Sequence, residues 1–293
     1  MEIVYRIDRS DNGQLHMTKE LFIDRYQAEY WKSRTGATVM KLSKLCDAKY
    51  RRETGLYLAE GIKLTEEALR HSHVQTVVVS EEALTGANTG EILTLTDGAK
   101  NAGCAIALAS AEAFSKISTE NAPQGILAVL PVPERCVPIF AENGRYLLLD
   151  TIQDPGNLGT ILRSASAFGV TGVVACGCAD LTSPKTVRAS MGAVFRVPVW
   201  SVESLADAVQ TLRGKHRVLA AALSENCLCV GQTPLMPNDC VVIGNEGHGI
   251  APEIIAACSD VIRIPMTGET ESLNASIAAS IVLWEYMRTF PQS

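Results

Sequence analysis

The chain has 293 residues, of which 47% are hydrophobic and 20% charged, and its 26 basic and 32 acidic residues give a formal net charge of −6. This composition excludes a chain that is disordered throughout, and the length predicts two domains or one large one. The net negative charge disfavours a protein that binds nucleic acids in general, but it does not exclude a local basic patch.

No apolar run is long enough to span a membrane. No signal peptide is visible after Met1, where charged residues follow at once. Nine cysteines in a chain of this length, without an export signal, predict free thiols and a cytoplasmic protein.

The first forty residues are polar, with several aromatic side chains and no clear alternation. We interpret residues 1–38 as an N-terminal extension with one short helix over residues 18–33. Its role is not indicated by any pattern.

Residues 39–135 alternate between helical and strand patterns. Residues 41–52 and 61–70 predict helices. Three consecutive valines suit a buried parallel strand at residues 76–79. Further strands are predicted at 55–59, 106–108 and 126–129. The segment is predicted to be a small α/β domain, and the prolines at 131, 133 and 138 predict an extended connector after it.

Residues 141–293 form the second predicted domain, which opens on a buried strand at 146–150. Asn157 is expected to cap the next helix, and Gly169 to end it. Strands are also predicted at 172–175, 218–222, 241–244 and 261–264, and helices at 185–192, 203–212, 252–258 and 274–289. The alternation predicts a parallel sheet covered on both faces, with ligands bound beyond the carboxyl ends of its strands.

The first candidate motif spans residues 154–163, just beyond the opening strand. Its two internal glycines allow close backbone approach, and a helix N-terminus favours an anion. Arg163 is predicted to lie off the apolar face that Leu158, Ile161 and Leu162 form, and so to project into a cleft. The alternative is a capped helix with a solvated arginine.

The second candidate motif, at residues 241–250, is an apolar strand that runs into a loop with three glycines within six residues. The spacing matches neither the dinucleotide fingerprint nor a Walker loop. A glycine-dense turn at a strand end suits a closely bound small molecule, and Glu246 is a candidate hydrogen-bond acceptor. The alternative is a tight strand-to-helix turn, and His248 is assigned a structural or rim role.

The third candidate motif, at residues 264–276, is a strand end, a loop and the start of the last helix. Ser272 is expected to be an ordinary N-cap. The helix has unusually many small side chains, which permit tight packing, and it also carries a stripe of larger apolar side chains. The small residues are Ala275, Ala278, Ala279 and Ser280, and the stripe is formed by Ile277, Ile281 and Trp284.

In this order and spacing the three segments resemble the SpoU/TrmH family of RNA ribose 2′-O-methyltransferases, within the SPOUT superfamily. The matches are N-x-G-x-x-x-R at 157–163, I-G-N-E-G at 243–247, I-P-M at 264–266 and S-L-N at 272–274. The stretch at 190–198 looks like the linking segment of the family. The resemblance covers about residues 145–290, and residues 40–130 look like the RNA-binding domain often fused ahead of it.

The resemblance implies an α/β fold: a C-terminal parallel-sheet SPOUT domain with a deep trefoil knot, preceded by a small α/β RNA-binding domain. Knots are rare exceptions to the rules of chain topology. It also implies a homodimer and S-adenosyl-L-methionine as the cofactor, without metal. The residues expected to bind the cofactor are Gly244, Ile264, Leu273, Leu223, Asn245, Gly247, Met266 and Ser276.

The implied reaction is attack of a ribose 2′-hydroxyl on the methyl group of the sulfonium. Arg163 matches the arginine with the central catalytic role in the family. Because a guanidinium keeps its charge in proteins, we assign Arg163 to the adjacent phosphate or to a developing alkoxide. Asn157 and Asn274 would orient the ribose or this arginine, Glu246 would fix the geometry or accept a proton, and Ser272 would support the cleft.

The basic segment at 41–52 is the candidate RNA contact, and a solvated helix face is the alternative. It holds Lys41, Lys44, Lys49, Arg51 and Arg52 against Asp47 alone. Ribosomal RNA is favoured over transfer RNA because the chain has two domains. Binding is therefore expected to be local and selective for a folded RNA.

Several other functions are alternatives to RNA ribose 2′-O-methylation. Methylation of transfer RNA or of a base is an alternative within the superfamily, and a non-catalytic RNA-binding protein is one outside it. An oxidoreductase lacks its fingerprint, and a hydrolase lacks a nucleophile elbow. The pairs Cys176/Cys178 and Cys227/Cys229 could bind zinc, but their C-x-C spacing favours free thiols.

Overall fold

The computed structural model describes residues 8–9, 15–134, 136–224, 227–267 and 272–289. The chain divides into two compact units, the first formed by Met1–Pro133 with Thr182–Arg188 and the second by Glu134–Leu181 with Ala189–Ser293. The boundary predicted at residue 38 thus falls within the first unit. No helix in the described ranges is both long and apolar enough to cross a bilayer.

The described elements of the first unit are β1 (Asp8–Arg9), β2 (Leu15–His16), α1 (Lys19–Tyr26), β3 (Glu29–Trp31), α2 (Ala37–Ser43), α3 (Ala48–Thr54), β4 (Leu56–Glu60), α4 (Ile62–His71), β5 (Thr76–Ser80), α5 (Thr89–Asn101), β6 (Ala105–Ala109), α6 (Ala111–Ile117) and β7 (Ile126–Pro131). The unit is built on a sheet whose described strands lie in the order β3-β6-β5-β7-β4. β3, β6 and β5 run parallel, whereas β7 is antiparallel to both β5 and β4.

The helix predicted over residues 18–33 is shorter than expected. α1 ends before Gln27, which takes a left-handed conformation with φ of 50°. The following three residues form β3, which pairs with β6, so this stretch is part of the sheet. Trp31 is buried on one face of the strand, while Tyr30 points to the other and donates to Glu81 Oε2 at 2.9 Å.

The single helix predicted at 41–52 is two helices joined by a 3₁₀ turn at Lys44–Cys46. Asp47 causes the break, because its carboxylate accepts from the backbone N–H groups of Lys49 and Tyr50 and so starts α3. The sequence interpretation missed α5 and α6 altogether. α5 contains Thr89, Gly90 and Gly98, residues that form helices poorly.

The second unit contains the parallel sheet that the alternation predicted. The described elements from residue 146 onward are β8 (Tyr146–Asp150), α7 (Pro155–Ala167), β9 (Gly172–Cys176), α8 (Pro184–Ser190), α9 (Ala193–Arg196), β10 (Val199–Val202), α10 (Leu205–Arg213), β11 (Val218–Ala221), β12 (Leu228–Cys229), β13 (Cys240–Ile243), α11 (Pro252–Ala257), β14 (Asp260–Arg263) and α12 (Ala275–Thr289). The described strands of the sheet lie in the order β10-β9-β8-β13-β11-β14-β12, and every pairing among them is parallel.

Two separate apolar clusters cover the two faces of this sheet. One joins α7 and α12 to the strands, and the other joins α10 and α11. The sheet covered on both faces is therefore confirmed. The trefoil knot stays a prediction.

The helices α7 and α12 lie side by side and run in the same direction. Ser164 Oγ and Ser280 Oγ are 2.8 Å apart, and further along the pair the rings of Phe168 and Trp284 lie 6.3 Å apart. Ala279 is fully buried in the cluster that contains both helices. Small side chains thus permit the close approach that the sequence indicated.

Candidate active site

The three sequence motifs meet at one edge of the second sheet. β13 pairs with β8 on one side and with β11 on the other, and β11 also pairs with β14. Because these strands are parallel, the segments that follow β8, β13 and β14 all leave from their carboxyl ends. This is the usual place of a ligand site in such a sheet.

A chain of three polar side chains joins the motifs. Asn274 Nδ2 donates to Asn157 Oδ1 at 3.0 Å, and Asn157 Nδ2 donates to Glu246 Oε1. The partners come from α12, α7 and the loop after β13. The structure therefore brings together three of the five residues predicted to be catalytic.

Asn157 was expected to cap α7, and this expectation is wrong. Asp154 is the N-cap, its Oδ1 accepting from the backbone N–H of Asn157 at 2.9 Å, and Pro155 occupies the first helical position. The predicted left-handed residue after the helix is confirmed at Gly169, whose φ is 66°. Because Asp154 does the capping, the side chain of Asn157 is free to reach Glu246 and Asn274.

Ser272 was expected to cap the last helix, but Asn274 does so. Asn274 Oδ1 accepts from the backbone N–H groups of Ser276 at 2.9 Å and of Ile277 at 3.3 Å. Ser272 is exposed and shows no hydrogen bond to another described residue. Asn274 therefore uses its oxygen to begin α12 and its nitrogen to hold Asn157.

The loop after β13 is closed on itself. Asn245 and Gly249 exchange two backbone hydrogen bonds of 2.9 Å, and Asn245 Oδ1 accepts from Gly247 N at 2.7 Å. Asn245 Nδ2 donates to Thr151 O at 2.8 Å, which ties the loop to the end of β8. Asn245 was predicted to touch the cofactor, but its side chain is committed to shaping the loop.

Position 244 requires glycine because the backbone of residues 249 and 250 lies very close to it. A Cβ at this position would overlap Gly249 and lie 2.6 Å from Ile250 N. Next to it, Asp150 Oδ2 accepts from Ala251 N at 3.0 Å, so a buried carboxylate fixes the far end of the loop. The sequence interpretation missed Asp150, although an acidic residue at the end of an apolar strand was a usable signal.

Arg163 lies on the exposed side of α7, as predicted, opposite the fully buried Leu158, Ile161 and Leu162. Within the described ranges, no hydrogen bond or ion pair joins it to Asn157, Glu246 or Asn274. The structure therefore leaves its guanidinium facing solvent, where it can meet an anionic substrate.

The predicted cofactor residues divide into two groups. Leu223 is 66% exposed in the segment after β11, and Ile264, Met266 and Leu273 are half-buried. They follow the carboxyl ends of β11 and β14 and precede α12, and their contact with the cofactor stays a prediction.

Ser276 differs from this group. It is buried, and both its N–H and its Oγ donate to Asn274 Oδ1, at 2.9 and 2.6 Å. It was predicted to contact the cofactor, but its polar groups are committed to the cap of α12.

The basic residues predicted to contact RNA are exposed with one exception. Lys41, Lys44, Lys49 and Arg52 all face solvent on α2, the 3₁₀ turn and α3. Arg51 is 2% exposed, and its Nη1 donates to the carbonyl oxygens of Leu45 and Cys46. Its role is to hold the turn between the two helices, so its assignment to RNA is wrong.

No cluster of three or more potential metal ligands occurs among the described residues. All nine cysteines are free. Cys178 Sγ donates to Leu149 O at 3.6 Å, and burial raises the pKa of this thiol to about 11. Such a thiol stays protonated at neutral pH.

Comparison with protein families finds two matches that divide the chain much as the structure does. Residues 144–284 match the SpoU rRNA Methylase family. Residues 37–128 match the MRM3-like substrate binding domain.

Individual relatives cover nearly the whole chain. The 23S rRNA (guanosine(2553)-2′-O)-methyltransferase RlmP of Bacillus subtilis is 31% identical over 243 residues, which are 82% of this chain and 92% of that protein. The AdoMet-bound rRNA methyltransferase of Sinorhizobium meliloti superposes with a TM-score of 0.79 at 28% identity, covering 91% of this chain and 100% of that one. A TrmH-family RNA methyltransferase structure from Porphyromonas gingivalis gives 0.73 at 32% identity, with 87% and 99% covered.

Proposed function

The chain belongs to the SpoU rRNA methylase family, and from this premise we propose that it methylates the 2′-hydroxyl of a ribose in structured RNA. The methyl donor is S-adenosyl-L-methionine, and ribosomal RNA is the substrate class. The reaction and the substrate class follow those of the Bacillus relative, a 23S rRNA 2′-O-methyltransferase. The methyl donor follows the AdoMet-bound Sinorhizobium structure.

One observation carries this proposal: the hydrogen-bonded chain Asn274–Asn157–Glu246 at the carboxyl edge of the sheet. Its three members come from three segments that are far apart in sequence. Capping of α12 needs Asn274 alone. The three hydrogen-bonded side chains together also align the amide of Asn157 with the carboxylate of Glu246.

The side chains of Leu223, Ile264, Met266 and Leu273 would hold the cofactor, with Gly244 allowing close approach of backbone. When bound, S-adenosyl-L-methionine supplies a methyl group that is already activated by the positive sulfur. The task left to the protein is alignment of the ribose oxygen and removal of its proton.

We assign Arg163 to the RNA. Its exposed guanidinium binds the phosphate next to the target ribose, or stabilises negative charge that develops on the 2′-oxygen. Glu246 holds the amide of Asn157 in a fixed orientation, and Asn157 in turn fixes Asn274. Ser272, which is exposed ahead of α12, supports the same substrate.

The first unit binds the RNA and selects the target. Its basic residues Lys41, Lys44, Lys49 and Arg52 are exposed, so they are free to contact phosphates. An enzyme of ribosomal RNA with nine free thiols belongs in the cytoplasm.

The enzyme acts as a homodimer that associates through α12. Ile277 and Trp284 are 52% and 57% exposed on this helix, and Ile281 lies between them at helical spacing. A large apolar residue is rarely left exposed in such a row on a monomer. Sedimentation equilibrium would report a dimer for the wild type and a monomer for the double variant Ile277→Glu, Trp284→Glu.

The reaction is tested by incubating the full chain with radiolabelled S-adenosyl-L-methionine and ribosomal RNA. We expect label in the RNA and a nuclease-resistant linkage at the modified nucleotide, since a methylated 2′-oxygen no longer attacks the neighbouring phosphate. Labelled RNA without a resistant linkage would indicate base methylation. Binding of RNA without any label would indicate a non-catalytic RNA-binding protein.

The variant Arg163→Ala is expected to fold normally and to lose at least about 100-fold in methyl transfer. Arg213→Ala is the matched control, since it removes an exposed arginine of the same unit that binds the carbonyl of Ala257. Full activity of Arg163→Ala would refute the role assigned to this residue.

A further inference from the structure

The first unit contains a cavity of about 470 Å³. It lies where α2 approaches the edge strand β3 and the beginning of β6. Its volume is within the usual range for pockets that bind small organic groups. The residues used below are Tyr26, Trp31, Thr38, Lys41 and Lys100, all of which line it.

One residue that lines the cavity has an unused hydrogen-bond donor. Trp31 is 8% exposed, and its Nε1 is buried without a hydrogen-bond partner among the described residues. Buried indole N–H groups usually find a partner, so an orphan of this kind next to an empty volume points to a ligand acceptor. Tyr26 adds a second aromatic side chain to the lining.

Two lysines and one glutamate, Lys41, Lys100 and Glu29, are the charged residues that line the cavity. Lys100 Nζ donates to Tyr26 O at 2.9 Å, which holds its ammonium at the lip, and Lys41 is exposed on α2. Residues 32–52 carry seven basic side chains against one acidic side chain. A volume lined by two aromatic side chains together with aliphatic and uncharged polar ones, and with two ammonium groups in its lining, suits a nucleotide, whose base is flat and whose phosphate is anionic.

We propose that this cavity takes one unpaired nucleobase of the RNA substrate. Protein recognition of RNA commonly uses bases that have left the stack and lie against aromatic side chains. Trp31 Nε1 donates to an acceptor on the base, and Lys41 and Lys100 bind the flanking phosphates. The proposal rests on the RNA substrate of the proposed function and locates a second contact, on the first unit, that selects the target.

The test uses the full chain and fluorescein-labelled RNA hairpins with a single-stranded loop. One hairpin carries normal bases in the loop, and the other carries abasic riboses there. Fluorescence anisotropy gives the two dissociation constants. We expect the wild type to prefer the hairpin with bases by at least 10-fold, since stacking and hydrogen bonding to the base are lost in the abasic RNA.

Two variants locate the preference in the cavity. Thr38 is exposed on α2, so Thr38→Trp fills the cavity without disturbing the core, and it is expected to abolish the preference. Lys41→Ala is expected to lower the affinity for both hairpins by a similar factor. Lys116 is an exposed lysine of α6, and Lys116→Ala is expected to leave both affinities unchanged. Circular dichroism checks that each variant is folded.

Equal affinity of the wild type for the two hairpins overturns the proposal, and so does an undiminished preference in folded Thr38→Trp. Methyl transfer to ribosomal RNA is measured in parallel. A preference for the hairpin with bases, without methyl transfer, supports the base-binding cavity and refutes the proposed function. Methyl transfer without such a preference supports the proposed function and refutes the base-binding cavity.

Discussion

The side-chain amide of Asn274 bridges two helices of the second unit, because its Nδ2 donates to Asn157 Oδ1 at 3.0 Å while its Oδ1 caps α12. One residue thus starts the last helix and also sets the orientation of Asn157 toward Glu246. Helix formation and the geometry of the candidate active site are therefore linked through a single amide.

This link predicts that two substitutions of Asn274 have different effects. Asn274→Ala removes both functions, so we expect a loss of about 1 kcal/mol in the free energy of unfolding together with a loss of methyl transfer. Urea unfolding and a radiolabel assay measure the two quantities.

Asn274→Asp is the matched control. The carboxylate still accepts from Ser276 N and caps α12, but it cannot donate to Asn157 Oδ1. We expect stability close to that of the wild type and methyl transfer reduced by about 10-fold or more, the equivalent of one hydrogen bond. If Asn274→Asp were as active as the wild type, the amide bridge would have no part in the reaction.

Gly244 gives a second prediction, on the loop after β13. Gly244→Ala forces a Cβ against the backbone of Gly249 and Ile250, so the loop must shift. We expect calorimetry to show at least about 10-fold weaker binding of S-adenosyl-L-methionine, with a lower melting temperature. Gly214→Ala is the control, since a Cβ there meets only Thr211 O at an ordinary 3.6 Å. Equal cofactor affinity of the two variants would contradict the prediction.

Local sequence patterns predict the loops but not the contacts between them. The glycines around Gly244 indicate a tight turn, and the parallel sheet follows from alternating elements. Asn157 and Glu246, however, are 89 residues apart, and no local pattern pairs them. The caps were misassigned because Asn157 and Ser272 are both good capping residues, and only the position of Pro155 and the backbone geometry decide among competing caps.

In the first unit, too, local sequence patterns do not predict contacts between distant segments. β3 has three residues, too few for a period to be recognised, and it becomes a strand by pairing with the distant β6. Arg51 lies in a basic segment and looks like its neighbours. Its burial follows from the turn at Lys44–Cys46, which places the carbonyl oxygens of Leu45 and Cys46 within its reach.

A third prediction concerns the end of α12. Tyr286 is fully buried, and its hydroxyl donates to Asp239 O at 2.6 Å, which ties the last helix to the segment before β13. Tyr286→Phe is expected to lower the free energy of unfolding by about 1–2 kcal/mol, because a buried carbonyl loses its donor. Tyr57→Phe is the comparison, since Tyr57 is also a buried residue but no described residue hydrogen-bonds its hydroxyl. Equal losses in the two variants would show that the bond to Asp239 contributes nothing.

The fourth prediction is a loss of stability in alkali that is caused by buried thiols. Burial raises the pKa of Cys240 to about 12 and that of Cys258 to about 11, from an ordinary value of 9.0. Above pH 9 the unfolded chain therefore releases protons that the folded chain retains. The free energy of unfolding falls as pH rises, by up to about 1.4 kcal/mol per pH unit for each such thiol.

Urea unfolding between pH 8 and about 9.5 measures this slope, in a window that ends below the ordinary tyrosine pKa of 10.0. Cys240→Ala removes one buried thiol, so its stability is expected to fall less steeply with pH than that of the wild type. Cys46→Ser changes an exposed cysteine and is expected to keep the slope of the wild type. Parallel pH profiles for the wild type and Cys240→Ala would mean that ionisation of this thiol is not coupled to unfolding.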